Sequence, residues 1–276
     1  MRESRGVTAT ALDAAEVVVP KSPEEAVASF GDGTGMTVLG GCTIVMPELN
    51  HGRLRPARAL VLRDAGLGGI RRNGASLTIG AMTTVAELAA GGPEPLASAA
   101  RGVADYEVRA QGTLGGNLCA PPAGEFPRGD LQGALIALAA RVRSAGKGGE
   151  QTVPVEDFLA AGPGGRLVLE VELEEPRRAG HAAVGRPHAH GYTILAVCAA
   201  ETSAGIRVGV TGAAPHGVRA RTVEQALAGG ASSGDAAARI LEDVQPADDA
   251  LASAWYRQRL LPVLVRRALA GLEGGT

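Results

Sequence analysis

Apolar positions along this chain fall into two kinds of run. Some are short, β-branched and cut off by glycine or proline. Others are longer and recur every three to four residues. Glu16-Val-Val-Val-Pro20 predicts a short strand stopped by proline, after a frayed stretch over 1–15. Ser22-Pro-Glu-Glu25 predicts a helix start, running to about Phe30. Ser22 caps it, Pro23 suits the first helical position, and Glu24 and Glu25 favour the positive end. Met36 to Leu39 reads as a strand, as do Ala59 to Leu62 and the stretch from Ser76 into a small-residue loop ending at Thr84. A helix then starts at Val85, capped by Thr83 or Thr84. Pro95 to Ala104 is helical, with Leu96, Ala99, Ala100 and Val103 on one face, and Asp130 to Ala139 is a strongly apolar helix. Arg141–Ser144 and Glu150–Val153 form a hairpin about Gly146, followed by a short helix over Val155–Phe158.

Ala161-Gly-Pro-Gly-Gly165 reads as a linker between domains. Beyond it, Leu167–Leu173, Thr193–Ala200 and Gly205–Thr211 read as strands, the last two antiparallel across Glu201 to Ala204. Helices follow over Arg221–Leu227, Gly234–Leu241 and Ser253–Leu272. The last is amphipathic, with Leu260, Leu261, Leu264, Val265 and Leu269 inward and Arg257, Arg259, Arg266 and Arg267 on a solvated face. Strands followed by helices give an α+β class. The expected organisation is a domain over 1–163, made of two lobes that divide near 66–75, and a smaller α+β domain over 166–276.

Composition narrows the function classes. A chain of 276 residues that is 45% hydrophobic and 20% charged is an ordinary globular protein. A net charge of −2 points to neither nucleic acid nor an anionic membrane. No stretch is long and apolar enough to span a bilayer. The Met1-Arg-Glu-Ser-Arg5 start leads into Thr, Asp and Glu rather than an apolar signal core, so a cytoplasmic location is expected. Cys42, Cys119 and Cys198 lack metal-site spacing, and an iron–sulfur cluster normally takes four thiolates, so no metal is expected in this chain.

The candidate chemistry lies in two glycine pairs. One is in Val38-Leu-Gly-Gly-Cys-Thr43, the other in Gln111-Gly-Thr-Leu-Gly-Gly-Asn-Leu118. Glycine lets a backbone approach a ligand closely, and successive amides in such a turn make an anion-binding concavity. Two such turns facing each other would grip the pyrophosphate of a dinucleotide, with Thr43, Thr113 and the Asn117 amide adding hydrogen bonds. Glycine supplies 40 residues, so chance pairs are common and the surroundings must decide. Gly31-Asp-Gly-Thr-Gly35 precedes a strand and opens no helix, which rules out a Rossmann fingerprint, and no Walker P-loop is present.

Taken in order, the motifs resemble those of the FAD-binding medium subunit of the xanthine dehydrogenase and carbon monoxide dehydrogenase family. Val38–Thr43 looks like its Ala-Gly-Gly loop. Leu77-Thr-Ile-Gly-Ala-Met-Thr-Thr84 is similar to its Ile-Gly-Ala-x-Thr-Thr segment, and Val108 to Leu118 to its Ile-Arg-Asn-x-Gly-Thr-Ile-Gly-Gly-Asn signature. Val153–Phe158 and Tyr256–Leu269 match later landmarks. The resemblance runs from about Pro20 to Ala270.

It implies a two-lobed FAD-binding domain of the PCMH type followed by an α+β domain of antiparallel strands and C-terminal helices covering the ring. It implies cofactor contacts from Val38, Leu39, Gly40, Gly41, Cys42, Thr43 and Ile44, and from Gly112, Thr113, Gly115, Gly116 and Asn117. Gly80, Ala81 and Thr84 would lie along the cofactor, Glu125 would bind ribose or adenosine hydroxyls, and Tyr192 and Arg186 would stand near the isoalloxazine. It also implies partners, an iron–sulfur subunit and a molybdenum cofactor subunit, and a small-molecule electron acceptor (NAD, quinone or oxygen). Three departures stand out: Thr43 where relatives carry Asp, Ala110 where they carry Asn, and Gly191 where they carry an acid. With His188 and His190 unplaced, they motivate an alternative, a stand-alone flavoenzyme in which His188, His190 or Tyr192 is the base. A binding module that has lost its cofactor is the third possibility.

Overall fold

The structure is a computed structural model, described here over residues 16–121, 129–186 and 193–273. The predicted 1–15 segment lies outside them. The first lobe alternates strands and helices: β1 (Glu16–Val18), α1 (Pro23–Phe30), β2 (Met36–Leu39), α2 (Val45–Asn50) and β3 (Arg58–Val61). The strands form a parallel sheet in the order β1-β3-β2. Parallel neighbours need crossovers, which the intervening helical stretches provide. The start of α1 is as read from sequence: Ser22 Oγ accepts from the Glu25 amide at 3.1 Å and Pro23 leads the first turn. Ala26 and Phe30 on its inner face pack with Leu60, Leu62 and Leu67.

The second lobe starts with the hairpin β4 (Ile70–Asn73) and β5 (Ser76–Gly80). Five short helices follow: α3 (Val85–Gly91), α4 (Leu96–Arg101), α5 (Tyr106–Gln111), α6 (Leu114–Leu118) and α7 (Gln132–Ala137). The lobe ends with the hairpin β6 (Arg141–Gly146) and β7 (Gly149–Pro154), then α8 (Val155–Ala161) and β8 (Arg166–Glu174). Its antiparallel sheet has the order β4-β5-β8-β6-β7.

The position of β8 corrects the expected boundary at 163–166. Ser76 to Gly80 pair with Glu174 to Glu170 on one side of it, and β6 pairs on the other, so β8 sits at the centre of the second lobe. The Ala161–Gly165 stretch is a turn inside this lobe, with positive φ at Gly162, Gly164 and Gly165. Glycine and proline mark a sharp reversal without saying what the next strand pairs with. The sheet changes between Glu174 and Arg178. Leu167 and Leu169 also pack into the core of the first lobe, so the two lobes share apolar surface.

The last domain has four antiparallel strands, β9 (Arg178–Gly185), β10 (Thr193–Thr202), β11 (Gly205–Thr211) and β12 (Val218–Arg219), in the order β12-β11-β10-β9. Thr202 pairs with Gly205 across the expected tight turn. Three helices close the domain, α9 (Arg221–Ala228), α10 (Ser233–Ala238) and α11 (Ala254–Glu273). Leu261, Leu264, Val265 and Leu269 of α11 are buried as predicted, and Arg259, Arg266 and Arg267 are exposed. Arg257 is the correction: it is 1% exposed, turned into the domain rather than out to solvent.

The joint between the domains is α7. All six of its residues are buried, and it packs against β10, β11 and β12. A helix apolar all round needs partners on every side. The Gly133 amide donates to Thr211 Oγ1 at 3.0 Å. Gln132, 3% exposed, donates from Nε2 to the Leu118 carbonyl at 3.1 Å and accepts from the Gly217 amide at 2.7 Å. Beside it, Glu156 on α8 accepts from Arg207 and Arg221 of the last domain at 2.5 and 2.7 Å.

Candidate functional site: the cleft between the glycine loops

Strand β2 ends at Leu39 and turns straight into the first glycine loop. The second runs from the end of α5 through Gly112 and Thr113 into α6, and its glycine pair, Gly115 and Gly116, lies in the first turn of that helix. Backbone meets backbone between them. A Cβ placed on Gly41 would overlap the Gln111 carbonyl oxygen, and one on Gly40 would stand 3.2 Å from Thr113 Oγ1. A Cβ on Gly115 would lie 3.0 Å from the Ala81 Cβ. The glycines therefore serve first to bring the two loops and the end of β5 into contact.

A cavity of about 580 Å³ opens over this junction, within the range of small-molecule sites. Val38, Gly40, Gly41, Cys42, Thr43 and Ile44 line it from the first loop, Gly112, Thr113, Gly115, Gly116 and Asn117 from the second, and Ala81 from the end of β5. Its other walls are largely apolar, with Val45, Leu62, Met82, Val85, Val103 and Val108. Thr193 and Leu251 are the two described residues that the last domain contributes.

The two loops differ in what their amides do. In the second, the amides of Leu114, Gly115 and Asn117 donate to the carbonyls of Thr83, Ala81 and Thr113 at 2.9, 2.8 and 2.9 Å. The Gly116 amide donates to Thr113 Oγ1 at 3.2 Å. In the first loop, the amides of Gly41, Cys42, Thr43 and Ile44 donate to no protein acceptor among the described residues. All four residues are half-buried beside the cavity, so their amides are free to donate to whatever occupies it. Cys42 holds φ at 62°, a left-handed conformation rare outside glycine. The sequence reading gave both loops the same gripping role; here the second is a platform and the first carries the free donors.

The other predicted residues separate clearly. Leu39 accepts from the Leu62 amide at 2.9 Å and lies outside the lining. Gly80 is buried against the Leu67 carbonyl. Thr84 closes a capping box with Glu87 on α3, and neither it nor Gly80 lines the cavity. Asn117 lines it, but its side-chain Oδ1 accepts from the Leu131 amide at 2.9 Å and ties α6 to α7. Arg186 is exposed just past β9 and is absent from the lining. Glu125, His188, His190 and Tyr192 lie outside the described residues.

Several lining residues were not anticipated. Asp105 caps α5, accepting from the Val108 amide at 2.8 Å; an Asp three residues before Val in a helical stretch was a legible cap signal. Arg166 holds the β6–β7 turn, donating to Ser144 Oγ and to the Ser144 and Gly149 carbonyls at 2.9, 2.9 and 2.8 Å. Leu251 had no local signal at all. Cys119 also lines the cavity, and burial pushes its thiol up to about 12. Burial raises Cys42 as well. Both thiols are thus protonated near neutral pH, and neither is a ready nucleophile. No group of three or more His, Cys, Asp or Glu among the described residues is placed to hold a metal. No described helix is long and apolar enough to cross a membrane.

Comparison with known proteins agrees with this layout. Residues 13–173 match the family model for the FAD binding domain in molybdopterin dehydrogenase, and 186–272 match that for the CO dehydrogenase flavoprotein C-terminal domain. The break between the two matches falls where the sheet changes. The carbon monoxide dehydrogenase medium chain of Hydrogenophaga pseudoflava is 31% identical over 281 residues, covering 92% of this chain and 95% of that one. The 6-hydroxypseudooxynicotine dehydrogenase complex subunit alpha of Paenarthrobacter nicotinovorans is 29% identical, covering 92% and 93%. Among solved structures, carbon monoxide dehydrogenase of Hydrogenophaga pseudoflava superposes with a TM-score of 0.81 at 26% identity, covering 94% of this chain and 97% of that one.

Proposed function

Because this chain belongs to the family of FAD-binding medium subunits of molybdenum hydroxylases, we propose that it holds the FAD pyrophosphate at the first glycine loop and works as an electron relay within a larger complex. Its cofactor is FAD and it is an oxidoreductase flavoprotein. The observation that carries the binding reading is the run of amides from Gly41 to Ile44, four donors without a protein acceptor among the described residues, at the edge of a cavity of suitable size. Such a run favours a dianionic group. The second loop shapes the floor beneath it, Thr113 adds a hydroxyl, and the apolar walls suit a flat aromatic body and keep water away.

The redox chemistry is the flavin's own; what the chain supplies is binding, orientation and exclusion of water. Electrons reach the site from an iron–sulfur subunit fed by a molybdenum cofactor subunit, and leave to a small-molecule acceptor. The relatives support this division. They are named for substrates as unlike as carbon monoxide, 6-hydroxypseudooxynicotine and caffeine, at similar identity to this chain. Substrate choice therefore lies outside the medium subunit.

The test is the visible spectrum of the purified chain, then anaerobic reduction. Flavin bands at near-stoichiometric loading, bleached only when the partner subunits and their substrate are added, are expected. Bleaching by a small substrate with no partner present overturns the relay. A colourless protein that takes up no added FAD overturns the binding reading.

A further inference from the structure

Arg257 is the largest side chain buried to this degree, and a charge at 1% exposure requires an explanation. It sits in the first turns of α11, on the face turned toward the preceding loop. Its guanidinium donates from Nη1 to the carbonyls of Ala247 and Ala252 at 2.7 and 2.9 Å, and from Nη2 to Asp249 Oδ1 at 2.7 Å. The same carboxylate oxygen accepts the amides of Leu251 and Ala252 at 2.8 and 3.1 Å. The Asp249 amide in turn donates to the Ala252 carbonyl at 3.1 Å. The segment 247–252 is thus closed on itself and held to α11 by the guanidinium and by Asp248 Oδ1, which accepts the Ala254 amide at 2.5 Å. Nε of Arg257 has no partner among the described residues, so all of its bonding is directed through Nη1 and Nη2 at the 247–252 segment.

What the clamp holds is Leu251. It is 8% exposed, packs in the core of the last domain, and lines the same cavity as the glycine loops. We infer that the Arg257–Asp249 clamp is a positioning device that sets Leu251 as the last domain's wall against the bound flavin. The inference rests on the FAD reading of the cleft. Arg257 touches no cavity atom and acts only through Leu251. A planar, multi-donor guanidinium fixes three acceptors at once, which an ammonium cannot do.

The test uses the full chain loaded with FAD and compares Leu251→Ala, Arg257→Lys and the double variant. FAD dissociation rate, flavin absorption fine structure and midpoint potential are read, beside thermal melting. Leu251→Ala is expected to speed FAD release by about tenfold and to alter the flavin bands. Arg257→Lys is expected to reproduce that change in sign and in most of its size, with the double variant adding nothing further. Arg257→Lys that lowers the melting temperature but leaves dissociation, spectrum and potential unchanged overturns the inference, since the clamp is then structural only. So does a Leu251→Ala variant with an unaltered flavin, or additivity in the double variant. Asp249→Asn, which keeps an acceptor oxygen for the loop amides, stands in should Arg257→Lys fail to fold. A wild-type chain that takes up no FAD overturns the underlying cofactor reading as well, which separates the two failures.

Discussion

At Gly41 the space left for a side chain is closed by the Gln111 carbonyl oxygen, a backbone atom that moves only if the second loop moves. Gly41→Ala is therefore expected to push the loops apart, cost about 2 kcal/mol in unfolding free energy as an overpacking change, and lower FAD retention sharply. Gly116→Ala is the matched control for the unfolding cost alone, because its Cβ would meet only Thr113 Oγ1, at 3.1 Å, while Gly116 itself lines the cavity. Denaturant unfolding and cofactor content after gel filtration check both. At this scale the glycine pairs were legible in the sequence, but their division of labour was not. Whether an amide is free depends on which carbonyls the fold brings to it. Two donors of the second loop, the Leu114 and Gly115 amides, are taken by Thr83 and Ala81, some thirty positions away, and the Gly116 and Asn117 amides by Thr113 within the loop. Arg257 shows the same limit from the other side: helical spacing gave it a face, and the loop packed against that face reversed its environment.

Among the elements, those with strong local signals formed where expected: α1 with its Ser22 cap, β2, the β6–β7 hairpin and the β10–β11 hairpin. Helix α3 belongs here too. Glu87 donates its amide to Thr84 Oγ1 at 3.1 Å, and Glu87 Oε2 accepts the Thr84 amide at 2.7 Å. Thr84→Ala is expected to cost about 1 kcal/mol of stability while leaving FAD affinity unchanged, because the Thr84 hydroxyl bonds to Glu87 and Thr84 itself is not among the residues lining the cavity. Thr84→Ser is expected to restore the stability. Isothermal FAD titration beside thermal melting distinguishes this from direct cofactor contact. Strand β9 was not anticipated, because Arg178-Ala-Gly-His-Ala-Ala-Val-Gly185 lacks the bulky alternation that marks a strand. Small residues are what its position asks for. Helix α11 lies close against it, and a side chain at Gly180 would overlap the Ala268 carbonyl.

For the whole molecule, the cleft works only if the last domain stays docked, and α7 is where it docks. Gln132→Ala leaves the Leu118 carbonyl and the Gly217 amide buried without partners, at a cost of about 1–3 kcal/mol for each. The expected result is a chain whose core melts late but whose joint opens early. Hydrogen exchange is then faster over 208–218 and FAD release quicker, with β4 to β8 protected as before. Uniformly faster exchange would mean the residue supports the whole fold rather than the joint. The sequence by itself determined the periodic elements, their caps and turns, the α+β class and the order of motifs, because each depends on neighbours a few residues apart. The tertiary structure alone decided three things: that β8 belongs to the second lobe, that the first glycine loop keeps its donors while the second loses them, and that Leu251 reaches the cleft. Each is set by contacts between segments far apart in the chain, where local propensity and spacing say nothing about which backbone group or side chain will stand opposite.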